Sequence, residues 1–288
     1  MKLGFIGLGS LGTPIALNLL DSGHELYVYN RTAAKVVPLT EKGAIACKSI
    51  PALTKECTIV FTIVSDDAAL KSICGGENGL LQHLTPNSIH VSLSTILPAT
   101  AKELAGQHSQ HGQHYLASPV FGRPEAAAAR KLNYVIAGPA ALQSQVSPLL
   151  KDAGGAGVWD FGEEITAANT VKLCGNFLIA AALEAIGESV ALATASGVDA
   201  ARMWALFGQT LFNTPVYQNY SNMIVQQNFE PAAFTTQLGL KDMKLALQQA
   251  ASVQQNMPLA NLLKEHMEQL VTEGKGQMDW SAVATAIR

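Results

Sequence analysis

Lys2–Leu20 reads KLGFIGLGSLGTPIALNLL, and three local signals follow one another in it. Lys2–Ile6 is a short apolar run of strand type. Gly7-Leu8-Gly9-Ser10-Leu11-Gly12 then matches G-x-G-x-x-G. Thr13–Leu20 carries apolar residues at helical period, with Gly23 placed to end the helix. In this order the three glycines serve the tight turn, backbone approach to a pyrophosphate, and close packing of helix on strand. The phosphates would lie at the helix N-terminus, where unpaired N–H groups and the dipole favour anions. The alternative is an ordinary glycine-rich strand–helix turn.

Glu25–Tyr29 is the second strand and ends at Asn30-Arg31-Thr32. A site for NAD usually places an acidic side chain here, on the ribose 2′-hydroxyl. This chain has none. Arg31 can pair with a 2′-phosphate, and Asn30, Thr32 and Lys35 can add donors. NADP is therefore expected in preference to NAD. The competing reading leaves Arg31 solvated and makes Thr32 a helix cap.

The alternation of strand and helix continues through Ala44–Cys47, Thr58–Ile63, Ser88–Leu93, Tyr115–Ser118, Leu132–Ala137 and Gly157–Phe161. This suits a doubly wound α/β sheet of Rossmann type with about eight strands. Residues at the carboxyl ends of such strands face the ligand crevice, which makes Ser94 and Thr95 candidate contacts. Gly122 permits a tight backbone near a ligand, and Arg123 could clamp a carboxylate. Asp66 and Asp67 read as helix caps. His108, His111 and His114 recur every third residue, but Gly112 breaks the helix that would align them. They read as a solvated helix end, and no metal site is expected. After Gly162 every segment reads as helix, so residues 1–162 form the nucleotide-binding domain and 163–288 an all-α domain.

That second domain opens on Ile165–Leu183, ITAANTVKLCGNFLIAAAL, whose one charge is Lys172. Asn169, Lys172 and Asn176 share a helix face, and the other faces are apolar or small. Lys172 is either on the helix's one solvated stripe or an ammonium set in a site, where it needs a partner.

The 288 residues are 48% hydrophobic and 14% charged, lean in charge, which points to extensive buried surface and an oligomer interface. A net charge of -3 gives no drive toward nucleic acid or anionic membrane. No uninterrupted apolar run reaches the length of a membrane span, so no transmembrane helix is expected. Four scattered cysteines with no C-x-x-C fit a reducing, cytoplasmic setting.

The glycine loop, Ser94-Thr95, Pro119-Val120-x-Gly122, Val171-Lys172-Leu-Cys-Gly-Asn176 and Leu240-Lys241-Asp242 occur in an order that resembles the β-hydroxyacid dehydrogenases. The similarity runs the length of the chain. It implies that Lys172 is catalytic and Asn176 its orienting partner. Thr95 would lie near nicotinamide and substrate, Lys241 would close over the cofactor, and Val64 and Ser65 would touch its adenosine side. Asn30-Arg31-Thr32 resembles the semialdehyde reductases of that family that use NADP. Only Gly122 of Phe121-Gly122-Arg123 matches the family's usual carboxylate-binding segment, in which a hydroxyl precedes the glycine. The expected function is interconversion of a small hydroxy acid and its aldehyde by a homodimer or homotetramer, with Lys172 as proton donor and acceptor. Two other readings are an imine reductase, which generally lacks this lysine, and a non-catalytic NADP sensor.

Overall fold

A computed structural model of the protein describes residues 1–287. The chain divides into two compact units, Met1–Lys172 and Leu173–Arg288.

In the first unit, β1 (Lys2–Ile6), β2 (Glu25–Tyr29), β3 (Ile45–Ala46), β4 (Ile59–Thr62), β5 (Ile89–Ser92) and β6 (His114–Ala117) form one parallel sheet in the order β3-β2-β1-β4-β5-β6. Side chains alternate across it. Leu3, Phe5, Leu26, Val28, Ile59, Phe61, Ile89 and Val91 fill the core on one face. Ile6, Tyr27 and Val60 face the other, beneath the helices Asp67–Cys74 and Pro98–Gln110. Both faces are covered, as a parallel sheet requires.

The remaining strands do not extend this sheet, contrary to the expectation of a single sheet. β7 (Val120–Phe121), β8 (Leu132–Ile136) and β9 (Gly155–Asp160) make a separate three-stranded sheet, with β7 antiparallel to β8. Pro119 has no N–H and separates β6 from β7. An isolated bridge, Ala117 to Ala137, is what joins β6 to the strand β8 side of the small sheet.

The boundary between units also lies ten residues beyond the expected one, inside the helix Thr166–Ala195. The cause is packing: Ile165, Ala167, Ala168 and Val171 belong to the apolar cluster of the first unit.

The second unit is helical, with Ala200–Gln209, Pro215–Gln226, Thr236–Ser252 and Pro258–Thr272 packed on the long helix. Its last segment, expected as a helix, is a 3-10 turn at Trp280–Thr285 capped by Asp279. The long helix is apolar enough, at mean hydropathy 1.6, to match a membrane span, which a search for uninterrupted runs overlooks. Ala180, Leu183 and Ile186 on it are fully buried in the core of this unit, the role of a core helix.

Candidate active site

The strand order reverses between β1 and β4, and the loops after β1, β2, β4 and β5 meet at that switch point. Gly7 has φ +104°, and a Cβ there would lie 2.0 Å from the Ile63 carbonyl oxygen. A Cβ on Gly12 would lie 2.0 Å from the Gly7 oxygen. A Cβ on Gly9 would meet nothing within 4 Å. Two glycines are therefore demanded by the protein's own packing, and Gly9 faces open space. The helix Gly12–Asp21 starts without a side-chain cap and has no acid in its first turn. Its first N–H groups can take an external anion. Ser10 beside them is exposed and Leu11 half-buried. This cradle fits a dinucleotide pyrophosphate.

Asn30, expected as a donor to the cofactor, is already engaged within the protein through its oxygen and one of its two Nδ2 hydrogens. Its Oδ1 accepts from Leu8 N at 2.9 Å and its Nδ2 donates to Thr32 O at 3.0 Å. The side chain braces the glycine loop against the end of β2. Arg31, Thr32 and Lys35 are exposed on the same rim. Thr32 makes no side-chain cap to the following 3-10 turn, so the capping role is not realised.

The next two loops are tied together. Val64 N donates to Ser94 Oγ at 2.9 Å, and Leu97 N donates to Asp67 Oδ1 at 3.0 Å. Asp66 caps the helix through Ala69 N, as expected, while Asp67 braces the neighbouring loop. Ser94 is buried, so its hydroxyl serves as a backbone tie; Thr95 beside it is half-buried, and Ser65 is exposed.

Lys172 is only 8% exposed. Asn169 and Asn176 on the same face are buried too, which removes the solvated-stripe reading. The Lys172 Nζ lies 4.1 Å from the centroid of the Phe121 ring. The negative ring face attracts the ammonium and gives it an apolar wall. Gly122 has φ +141°, and a Cβ on it would strike Leu132 at 2.4 Å. Arg123 follows, its Nε 3.7 Å from the exposed Glu125 carboxylate.

In the second unit Asn176 Nδ2 donates to Asp242 Oδ2. The Lys241 Nζ lies 2.9 Å from the other oxygen of Asp242. Asp242 is 1% exposed and received no role from the sequence. Periodicity could have found it, because Gly239, Leu240, Met243 and Ala246 place it on the buried face of its helix.

Residues 2–167 match the family described as the NAD binding domain of 6-phosphogluconate dehydrogenase. Residues 166–287 match that described as NAD-binding of NADP-dependent 3-hydroxyisobutyrate dehydrogenase. The chain is 42% identical to the uncharacterized oxidoreductase YfjR of Bacillus subtilis, with 100% of each chain covered. It is 29% identical to 2-hydroxy-3-oxopropionate reductase of Escherichia coli, over 100% of this chain and 97% of that one. Among solved structures, Psf3 in complex with NADP+ and 2-OPP superposes with TM-score 0.89 at 25% identity, covering 99% of this chain and 100% of the other.

Proposed function

The chain belongs to the β-hydroxyacid dehydrogenase family, and on that premise we propose that it is an NADP-preferring reductase of a small aldehyde or semialdehyde that carries a carboxylate. The observation that carries this reading is the buried Lys172 ammonium against the Phe121 ring, on the helix that directly follows a complete dinucleotide fold. The bound nicotinamide supplies the hydride in reduction and accepts it in the reverse direction. Gly7 and Gly12 shape the loop that receives the pyrophosphate, and the uncapped N–H groups of Gly12–Asp21 hold it. Arg31 and Lys35 offer positive charge to a 2′-phosphate where no carboxylate competes.

During reduction negative charge develops on the carbonyl oxygen. The Lys172 Nζ stabilises that charge and gives up a proton to it; in oxidation Nζ takes the hydroxyl proton. Phe121 limits where the ammonium can go and keeps water from one side of it. Asn176, one helical turn beyond Lys172, is oriented by Asp242. Arg123 and the glycine turn before it supply the anchor for the substrate carboxylate, in place of a hydroxyl.

A second copy of the chain is proposed to cover the outer face of the long helix. Cys174, Leu178, Ala185, Glu188, Leu192 and Ala195 are exposed, and with Ala181 they recur at alternating intervals of four and three. That is the seam of paired helices. Light scattering of the wild type and of Leu178→Glu, expected to lower the assembly state, tests this part.

The function itself is tested by NADPH and NADH oxidation with glyoxylate, succinic semialdehyde and related short aldehydes, with cyclic imines alongside. Turnover of an aldehyde acid with NADPH is expected. Turnover confined to imines, or tight NADPH binding with no turnover across the panel, would replace this reading.

A further inference from the structure

We propose that Cys74, His90 and His108, none of them a residue of the glycine loop, bind a zinc ion inside the first unit. The Sγ of Cys74 and one ring nitrogen from each histidine lie within 4.8 Å of one another, and all three residues are buried. They come from three elements that the topology stacks on one face of the sheet. His90 sits on β5 in register with Val60 and Tyr115, Cys74 ends one covering helix, and His108 lies in the last turn of the other. Apolar side chains hold the equivalent position elsewhere on this face, as Ile6 and Val60 do. Of the three regularly spaced histidines, only His108 takes part; His111 is exposed, and His114 opens β6. The expected solvated helix end is wrong for His108, because the helix packs flat on the sheet.

The distances suit the ion. His90 Nδ1 and His108 Nε2 are 2.9 Å apart, and Cys74 Sγ is 3.8 Å from His90 Nδ1. A tetrahedral zinc centre has N···N and N···S edges of about 3.3 and 3.6 Å. The donor set of one thiolate and two imidazoles selects zinc over magnesium or calcium. The outer shell is also present. Gln113 Nε2 donates to the Leu81 and Leu84 carbonyls, which turns its Oε1 toward His108 Nδ1 at 2.9 Å. His108 therefore donates from Nδ1 and presents the lone pair of Nε2 to the cluster. Thr62 Oγ1 lies 2.8 Å from His90 Nε2.

Without metal, the network resolves into a relay of neutral groups. Thr62 donates to His90, His90 Nδ1 to His108 Nε2, and His108 Nδ1 to Gln113. Zinc replaces the central hydrogen bond of that relay. The Cys74 thiol loses its proton to solvent. The His90 proton moves from Nδ1 to Nε2, where Thr62 turns from donor to acceptor. One proton is released per ion bound, and no electron is transferred. A water completes the coordination. Because the three ligands are buried, the ion enters as the unit folds and holds two helices to the sheet.

The full-length protein, produced in zinc-supplemented medium and passed through metal-free buffer, is assayed for metal content. About one zinc per chain is expected. Protein produced with cobalt should show the intense visible bands of a tetrahedral centre and a near-ultraviolet thiolate-to-cobalt band. Cys74→Ser should lose the thiolate band and retain metal at least about tenfold more weakly. Cys174→Ser should keep both signals. Wild-type protein with background zinc and no thiolate band would overturn the proposal and leave the neutral relay as the whole cluster. Equal metal in wild type and folded Cys74→Ser would overturn it too, by placing the ion on surface histidines. If Cys74→Ser does not fold, the wild-type metal content and cobalt spectrum still decide.

Discussion

Replacing each loop glycine by alanine separates what the fold needs from what the cofactor needs. At Gly12 the new methyl would sit 2.0 Å from the Gly7 oxygen, more than 1 Å inside an ordinary carbon–oxygen contact, and 2.8 Å from Ile63 Cγ2. Backbone must move, and overpacking of this kind costs about 1–3 kcal/mol. Gly7 adds a conformational penalty to a similar clash with Ile63 O, because φ is +104°. That penalty is about 1–2 kcal/mol. At about 2–4 °C per kcal/mol for a unit of this size, Gly12→Ala should lower Tm by roughly 2–12 °C, and Gly7→Ala by more. Gly9 differs, since its Cβ would meet no atom of the protein within 4 Å. Gly9→Ala should melt within about 0.5 kcal/mol of the wild type. It should nevertheless lose NADPH affinity by about tenfold or more, equivalent to about 1.4 kcal/mol, because the methyl occupies space left for the pyrophosphate. Circular dichroism melts and NADPH fluorescence titrations measure the two quantities. Wild-type NADPH affinity in Gly9→Ala would refute the placement of the cofactor. Wild-type melting of Gly7→Ala and Gly12→Ala would refute the packing argument.

The other expectations rest on charge, burial and bracing. Arg31→Ala should weaken NADPH by about tenfold while leaving NADH nearly unchanged, read as the ratio of the two Kd values; equal loss for both would remove Arg31 from the 2′-phosphate. Burial pushes the Cys57 thiol up to about 12, with the Cys47 thiol and the Glu56 carboxylate adding to it, so it stays protonated at pH 8. A thiol reagent at that pH should leave Cys57 unmodified until the protein unfolds, as mass spectrometry of labelled peptides would show. Asp242→Asn keeps a hydrogen-bonding group beside Asn176 but gives up the charge facing Lys241, so kcat should fall while the first unit still binds NADPH.

The parts read correctly from sequence are those fixed by local pattern. β1, the glycine turn and the helix after it lie where the apolar run and the G-x-G-x-x-G place them. The long helix follows from a stretch with one charge, whereas the burial of Lys172 depends on the elements packed around it. What was missed depends on contacts far apart in the chain. His108 looks like any polar residue near a helix end, and only the sheet beneath it and Gln113 beside it make it buried. That Asn30 also braces the glycine loop, through Leu8 N, depends on a contact between residues 22 apart. The second sheet arises because Val120 and Phe121 pair antiparallel with Leu132–Ile136, a choice of partner that a count of apolar runs does not register. The unit boundary moved because the first turns of the long helix bury their apolar side against the first unit's core.

The most direct test of Lys172 as proton donor is single-turnover reduction by the Lys172→Ala protein, preloaded with NADPH and mixed with the aldehyde the wild type turns over fastest. A rate lower by about 10² or more, with NADPH affinity unchanged, is expected. A rate within a factor of about two of the wild type would mean that the ammonium beside Phe121 takes no part in moving the proton.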